Sequence, residues 1–309
     1  MKRINAVTFG YMAKEGELGS PEAAQSLELL VSRTSASTII LPVVALQANA
    51  HTIDIDWKHN LPTDNEVIDT VEAAGKLGLD VILKPMVNLE DGTWRAYINF
   101  LWPDVPCEPK WSEWFANYEK FILHYAEIAE KTGCRMLVIG CEMVSTDGRE
   151  KEWRSLIEKV REIYHGLITY NCDKYQEDRL SWWDAVDVIS SSGYYPYDKW
   201  EENLQRIEKV VKMQNKPFFF CEAGAPSRDG GELLPNDWTL PGEVNMDAQT
   251  RFFEAMFVAC ARFDFVEGFG LWDWKAILYR EEDAANDRDY ALFNKPAEKI
   301  VKKYYKMQI

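Results

Sequence analysis

The chain has 309 residues, 47% of them hydrophobic, with 50 acidic against 35 basic side chains and a net charge of −15. That surplus of negative charge argues against nucleic acid and anionic membrane surfaces as partners. No apolar run approaches the roughly 18 residues of a membrane span.

Residues 1–5 run straight into an apolar stretch, without an h-region or a small-residue cleavage site. The expectation is a chain without a signal peptide, acting in the cytoplasm. Continuous apolar runs predict strands over 4–11, 38–47, 80–87, 136–142, 166–172, 187–195, 217–223 and 266–274. Helices are predicted between them. Ser20-Pro21-Glu22 opens the first with an N-cap and a proline at the first helical position. The second, 64–77, stops at Gly78, and the third, 112–131, stops at Gly133. Segments 151–163, 199–213, 247–263 and 296–305 supply the others. The fifth crossover is the weakest, with 178–185 as its helical candidate.

Eight strands with a helix after each describe an α/β protein, a single (β/α)8 TIM barrel occupying 1–309, rather than an open doubly wound sheet. A single α/β barrel commonly runs to about 250 residues or more, so the length does not require a second domain. No linker, repeat or low-complexity stretch divides the chain, and no G-x-G-x-x-G or P-loop follows a strand. Two connections are long for a barrel, 88–110 and 224–245, and both would lie on the rim where barrel active sites sit.

Two apolar runs end in a carboxylate: Met136-Leu137-Val138-Ile139-Gly140-Cys141 before Glu142, and Phe218-Phe219-Phe220-Cys221 before Glu222. A carboxylate at the end of a doubly buried strand adds nothing to a core and is costly there if unpaired. On one barrel rim, the two would form the pair that glycoside hydrolysis requires, about 5–5.5 Å apart in a retaining enzyme.

These glutamates fall on the predicted fourth and seventh strands. Around them stand Lys84-Pro85-Met86-Val87-Asn88, Asp91-Gly92-Thr93-Trp94-Arg95, Gly140-Cys141-Glu142, Gly193-Tyr194-Tyr195-Pro196, Cys221-Glu222-Ala223-Gly224 and Leu271-Trp272-Asp273-Trp274. In this order the chain resembles the clan A glycoside hydrolases, which are retaining (β/α)8 barrels. Within them it is similar to glycoside hydrolase family 113, the β-1,4-mannanases, over nearly its whole length. The resemblance implies Glu142 as acid/base and Glu222 as nucleophile, acting without cofactor on β-1,4-mannan or manno-oligosaccharides. Cys141 stands where many clan A enzymes have the asparagine that contacts the sugar 2-hydroxyl, so another side chain must supply that contact.

Trp272 ends the eighth strand, where clan A enzymes carry an aromatic floor under the reacting sugar; ordinary core packing is the alternative. Trp94, Trp102 and Trp238 sit in the long loops, where they either touch ligand or cap the barrel. Trp111, Trp114, Trp153 and Trp200 begin helices and read as packing. Tyr195 is the candidate to hydrogen-bond Glu222, with Tyr194 as competitor, because strand alternation lets only one point inward. Lys84, inside a buried strand pattern, needs a polar partner and reads as a site residue. Asn88 is either a site residue or a turn cap. The acidic stretch 281–289 follows Arg280, contains Arg288, and lacks a Ca²⁺-loop spacing, so it reads as a solvated loop. The 4 histidines lack zinc spacing, so no metal is expected. Cys107, Cys134, Cys141, Cys172, Cys221 and Cys260 form no C-x-x-C pair and read as buried thiols in a reducing compartment.

The expected partner is therefore an oligosaccharide or polysaccharide. A β-xylanase, β-glucanase or exo-β-mannosidase would share the chemistry. A metal-dependent barrel lyase or isomerase would want His and carboxylate ligands on several strand ends, and a non-catalytic sugar-binding barrel would not need both glutamates.

Overall fold

The computed structural model describes residues 1–101 and 110–307, so Trp102 and Cys107 lie outside the described residues. Eight strands close into a barrel in chain order, every neighbouring pair parallel. They are β1 (Ile4–Phe9), β2 (Thr38–Gln47), β3 (Asp80–Leu89), β4 (Met136–Cys141), β5 (Leu167–Cys172), β6 (Val188–Ser192), β7 (Phe218–Ala223) and β8 (Val266–Trp274). Alternate side chains fill the interior: Ile4, Ala6, Ile40, Ile82, Met136, Val138, Val188, Phe219 and Cys221 form one buried cluster. The opposite strand faces pack under the helices in a second, larger core. Burial on both faces explains why each strand reads as a continuous apolar run.

The described α-helices are α1 (Pro21–Thr34), α2 (Asp64–Lys76), α3 (Lys110–Thr132), α4 (Glu150–Ile163), α5 (Trp200–Gln214), α6 (Met246–Cys260) and α7 (Pro296–Met307). Ser20 caps α1 by accepting from Ala23 N. At α2, Thr63 and Glu66 cap each other's backbone N–H groups. Gly78 takes φ +78 just past that helix, the left-handed turn that glycine permits. Trp111, Trp114, Trp153 and Trp200 are all buried, as their helical positions implied.

One expectation is corrected. The β5–β6 crossover carries no α-helix, only a 3₁₀ turn over Trp183–Ala185. Trp182 and Trp183 are fully buried there. Their indole N–H groups donate to Asp147 O at 3.0 Å and Glu177 O at 2.8 Å. The two indoles fill the layer that a helix occupies elsewhere. Some strand ends also move: β3 runs on to Leu89, past the predicted 87. β1 stops at Phe9 because Gly10 turns the chain at φ +75, and β6 stops at Ser192, ahead of both tyrosines.

Candidate active site

Glu142 and Glu222 open into one cavity of about 520 Å³. It lies at the C-terminal end of the strands, the face that carries barrel chemistry. Glu142 follows β4 directly, just past a register shift between Val138 and Cys141 in the β4–β5 pairing. Its φ of +52 is left-handed for a non-glycine residue, a conformation that costs on the order of 1–3 kcal/mol and must be held by its surroundings. Glu142 N donates to Asn171 O at 2.8 Å, which supplies part of that hold. Glu222 is the penultimate residue of β7 and only 2% exposed.

Each carboxyl has its own donors. Glu142 Oε1 accepts from Ser192 Oγ at 2.6 Å. Its Oε2 accepts from Trp94 Nε1 and Arg95 Nη2, both at 3.3 Å. Arg95 is anchored in turn on Cys141 O at 3.1 Å and Asn88 Oδ1 at 2.7 Å. Glu222 Oε1 accepts from Lys84 Nζ and, at 3.3 Å, from the Cys141 thiol. Its Oε2 accepts from the Tyr194 hydroxyl at 2.9 Å. Burial pushes the Glu222 carboxyl up, but the charges of Lys84 and Arg95, with hydrogen bonds from Lys84 and Tyr194, bring it below its ordinary value. Glu222 is therefore ionised and aimed at the cavity, the state of a nucleophile. Burial opposes the Lys84 charge, yet its pKa lies above the ordinary lysine value because the Cys141 and Cys221 thiols and the Glu222 carboxylate favour the ammonium. Asp173, just past β5, also lines the cavity. Its carboxyl is pushed up to about 7, first by burial and then by the neighbouring Glu142 charge.

Trp272 lines the same cavity. Its ring is 2% exposed and packs on Tyr11 with centroids 4.5 Å apart. Trp238 approaches it edge-on at 6.1 Å. Gly224 makes this approach of β7 to β8 possible, since a Cβ there would lie 2.5 Å from Trp272 O. Trp94 and Trp238 line the cavity while remaining 39% and 54% exposed, so these two loop tryptophans face the ligand space. Asn88 lines it too, donating to Tyr11 OH at 2.8 Å.

Two expectations about site residues are corrected. Tyr195 does not reach Glu222; its hydroxyl donates to Glu177 Oε1 at 2.9 Å, on the outer side of the sheet. Tyr194 is the inward residue because it keeps the parity of Ser192, whose hydroxyl meets Glu142. Lys84 is fully buried and is not among the residues lining the cavity, so it is a partner of Glu222 rather than a sugar contact. Asn171, Ser192, Arg95 and Asp173 were not singled out from the sequence. Asn171 and Ser192 left a signal all the same: polar residues inside strands that must be buried on both faces.

Among the described residues no group of three or more His, Cys, Asp or Glu could hold a metal ion. The acidic stretch forms a 3₁₀ turn over Glu281–Asn286 in which Arg280 pairs with Glu282 and Asp283. Among the described residues no helix is long and apolar enough to cross a membrane.

The family model described as Glycoside Hydrolase Family 113 matches residues 7–295. Two solved structures of family 113 β-1,4-mannanases, one of them a complex, are each 50% identical to this chain. Both superpose with a TM-score of 0.96 and cover 99% of both chains. The family 113 β-mannanase of Alicyclobacillus acidocaldarius, solved in complex with ManMIm, is 38% identical with a TM-score of 0.94, covering 100% of this chain and 99% of that one. A β-D-glucuronidase for Dictyoglomus thermophilum, 15% identical with a TM-score of 0.67, covers 98% of this chain and 50% of its own, and shows the barrel fold alone. No curated protein sequence matches. The match over the family model and the two levels of identity over full length agree with the carboxylate pair: the chain belongs to glycoside hydrolase family 113 and is a glycoside hydrolase.

Proposed function

We propose that the enzyme hydrolyses β-1,4-linked mannan or manno-oligosaccharides with retention, Glu222 acting as nucleophile and Glu142 as acid/base. The observation that carries the role assignment is the unequal treatment of two carboxyls on one cavity. Glu222 is paired with the buried Lys84 ammonium and bonded by Tyr194, its carboxyl held below the ordinary value, while Glu142, on the same cavity, accepts from Trp94, Arg95 and Ser192. Substrate choice is supported by the 50% and 38% identical relatives, which are described as β-mannanases.

In the first step a Glu222 oxygen attacks the anomeric carbon as the bond to the leaving-group oxygen breaks, and Glu142 protonates that oxygen. In the second, Glu142 takes a proton from water as the water oxygen displaces Glu222. Trp272 offers an apolar face to a neutral ring that carries no charge to bind by. Cofactor chemistry has no role in this scheme.

Glu222→Ala should abolish turnover, and azide should restore it as a glycosyl azide of inverted configuration. Glu142→Ala should retain the first step on substrates with good leaving groups and give a retained glycosyl azide. The opposite pairing of products would reverse the two roles. A panel of mannan, xylan and glucan with product analysis tests the sugar; preferential release of xylo- or gluco-oligosaccharides would overturn that part. An intracellular site of action belongs to the same proposal. The described cysteines Cys134, Cys141, Cys172, Cys221 and Cys260 are buried free thiols, a state that a reducing compartment preserves. Recovery of the native enzyme from culture medium instead of cell lysate would overturn it.

A further inference from the structure

Asn171 and Ser192 are fully buried, yet each is fully engaged. Lys84 Nζ donates to Glu222 Oε1 and also to Asn171 Oδ1 at 2.7 Å. Asn171 Nδ2 donates onward to Ser192 Oγ at 3.0 Å. Ser192 Oγ donates to Glu142 Oε1 at 2.6 Å. The cation at one end fixes which way the Asn171 amide faces. The amide fills one of the two serine lone pairs, and the serine proton points to Glu142 Oε1, which can only accept it. The three residues come from β3, β5 and β6 and run behind the cavity from one carboxyl to the other.

We propose that Lys84, Asn171 and Ser192 form a buried relay that transmits the charge state of Glu222 to Glu142. This rests on the nucleophile and acid/base roles assigned above. In the resting enzyme the Lys84 ammonium divides its donors between an anion and the Asn171 carbonyl. When Glu222 forms its bond to the anomeric carbon it becomes a neutral ester, and the electron pair of the broken bond leaves on the oxygen that Glu142 protonates. The ammonium then lacks its anion and polarises Asn171 more strongly. Polarisation passes along a hydrogen-bonded chain, so the Ser192 hydroxyl becomes a better donor to Glu142. A stronger donor favours the carboxylate, the form Glu142 needs to take a proton from water. Lys84, Asn171 and Ser192 are thus positioning residues.

Other groups act on the same pair. Arg95, Asp173, Cys141 and Tyr194 face Glu142. Cys221 also feels its charge. Glu222 faces Arg95 and Tyr194 as well, along with Cys141 and Tyr11. These act directly or through space and do not depend on Asn171, which is what an experiment can separate.

Asn171→Leu cuts the relay in its middle, and Ser192→Ala removes its last donor with the smaller change in volume. Each should move the basic limb of the kcat/KM–pH profile upward by about half to one pH unit. The double variant should move it no further than the larger single shift, because both cut one chain. The sharper reading uses ¹³C-labelled glutamate and NMR, before and after trapping Glu222 with a 2-deoxy-2-fluoro-β-mannosyl fluoride. The Glu142 carboxyl resonance at fixed pH should move toward the carboxylate position on trapping in the wild type and move clearly less in either variant. An equal movement in all three would mean that the coupling runs through space and would overturn the relay. Trapping on a residue other than Glu222 would instead overturn the role assignment beneath it.

Discussion

Deleting one hydroxyl at position 194 and one at 195 separates the site from its scaffold. Tyr194→Phe removes the 2.9 Å hydrogen bond to Glu222 Oε2, a buried bond to a charged acceptor. Such bonds contribute about 1.5–3 kcal/mol. At about 1.36 kcal/mol per decade, kcat/KM should fall roughly 10- to 150-fold. The pH profile should shift as well. Glu222 has its pKa held below the ordinary carboxylate value, against burial, by Lys84, Arg95 and the Tyr194 hydrogen bond. In the proposed nucleophile role Glu222 works ionised, so activity is lost as pH falls through that pKa. Without the tyrosine donor the pKa rises, and the acidic limb should move to higher pH. Stability follows the same sign. A depressed carboxyl contributes stability above its unfolded value, and that contribution is lost as pH falls through the folded one. Tyr194→Phe should therefore lose part of the stability seen above the ordinary glutamate range. Tyr195→Phe removes a bond of equal length to Glu177, which keeps Ser191 at 2.8 Å and the Arg206 ion pair at 2.7 Å. It should lower Tm while leaving kcat/KM within about twofold, since nothing it touches lines the cavity. Steady-state kinetics on manno-oligosaccharides across pH, with thermal melts, test both variants. The reasoning is refuted if Tyr195→Phe loses as much kcat/KM as Tyr194→Phe, or if the acidic limb moves in the 195 variant alone.

Trp272→Ala should lower kcat/KM by about 2–4 kcal/mol and Tm along with it, because the ring packs on Tyr11 as well as lining the cavity. A folded variant with unchanged kinetics would leave the ring purely structural. Gly224→Ala should cost about 1–3 kcal/mol of stability and lower kcat, since its Cβ would lie 2.5 Å from Trp272 O; calorimetry and rates at wild-type values would show that β7 and β8 can part freely. Asp173→Asn removes a negative neighbour of Glu142, whose own charge helps hold Asp173 up to about 7. The basic limb of kcat/KM should then move down by about one pH unit or less. An upward shift would mean that Asp173 acts as a hydrogen-bond donor instead.

The barrel was readable because parallel strands buried on both faces leave unbroken apolar runs, and β2 and β8 came out of the sequence with their observed ends. The same property hid what the strands present. Along Val188-Ile189-Ser190-Ser191-Ser192 both parities are buried, so alternation gives two faces and no way to tell inside from outside. Val188 belongs to the interior cluster, and that phase carries through Ser190 and Ser192 to Tyr194. Read one residue out of phase, the strand presents Tyr195 to the site, the assignment that the structure corrects. Glu142 and Glu222 escaped the ambiguity because an ionised group at the end of such a run has only the open rim to face. Lys84 did not: a lysine within β3 announced a polar partner, but the partner lies on β7, 138 residues on. Asn171 and Ser192 were hidden for the same reason, since a single polar residue within a strand says that a bond exists and not to whom. The helices failed at one crossover only, where two buried tryptophans stand in for a helix and local propensity carries no trace of the exchange. Strand existence is thus a local property of this chain, whereas the inward phase of a strand is set across the barrel by the residues it must meet. The carboxylate pair belongs to the first kind of information, and the chain of donors that ties its members together belongs to the second.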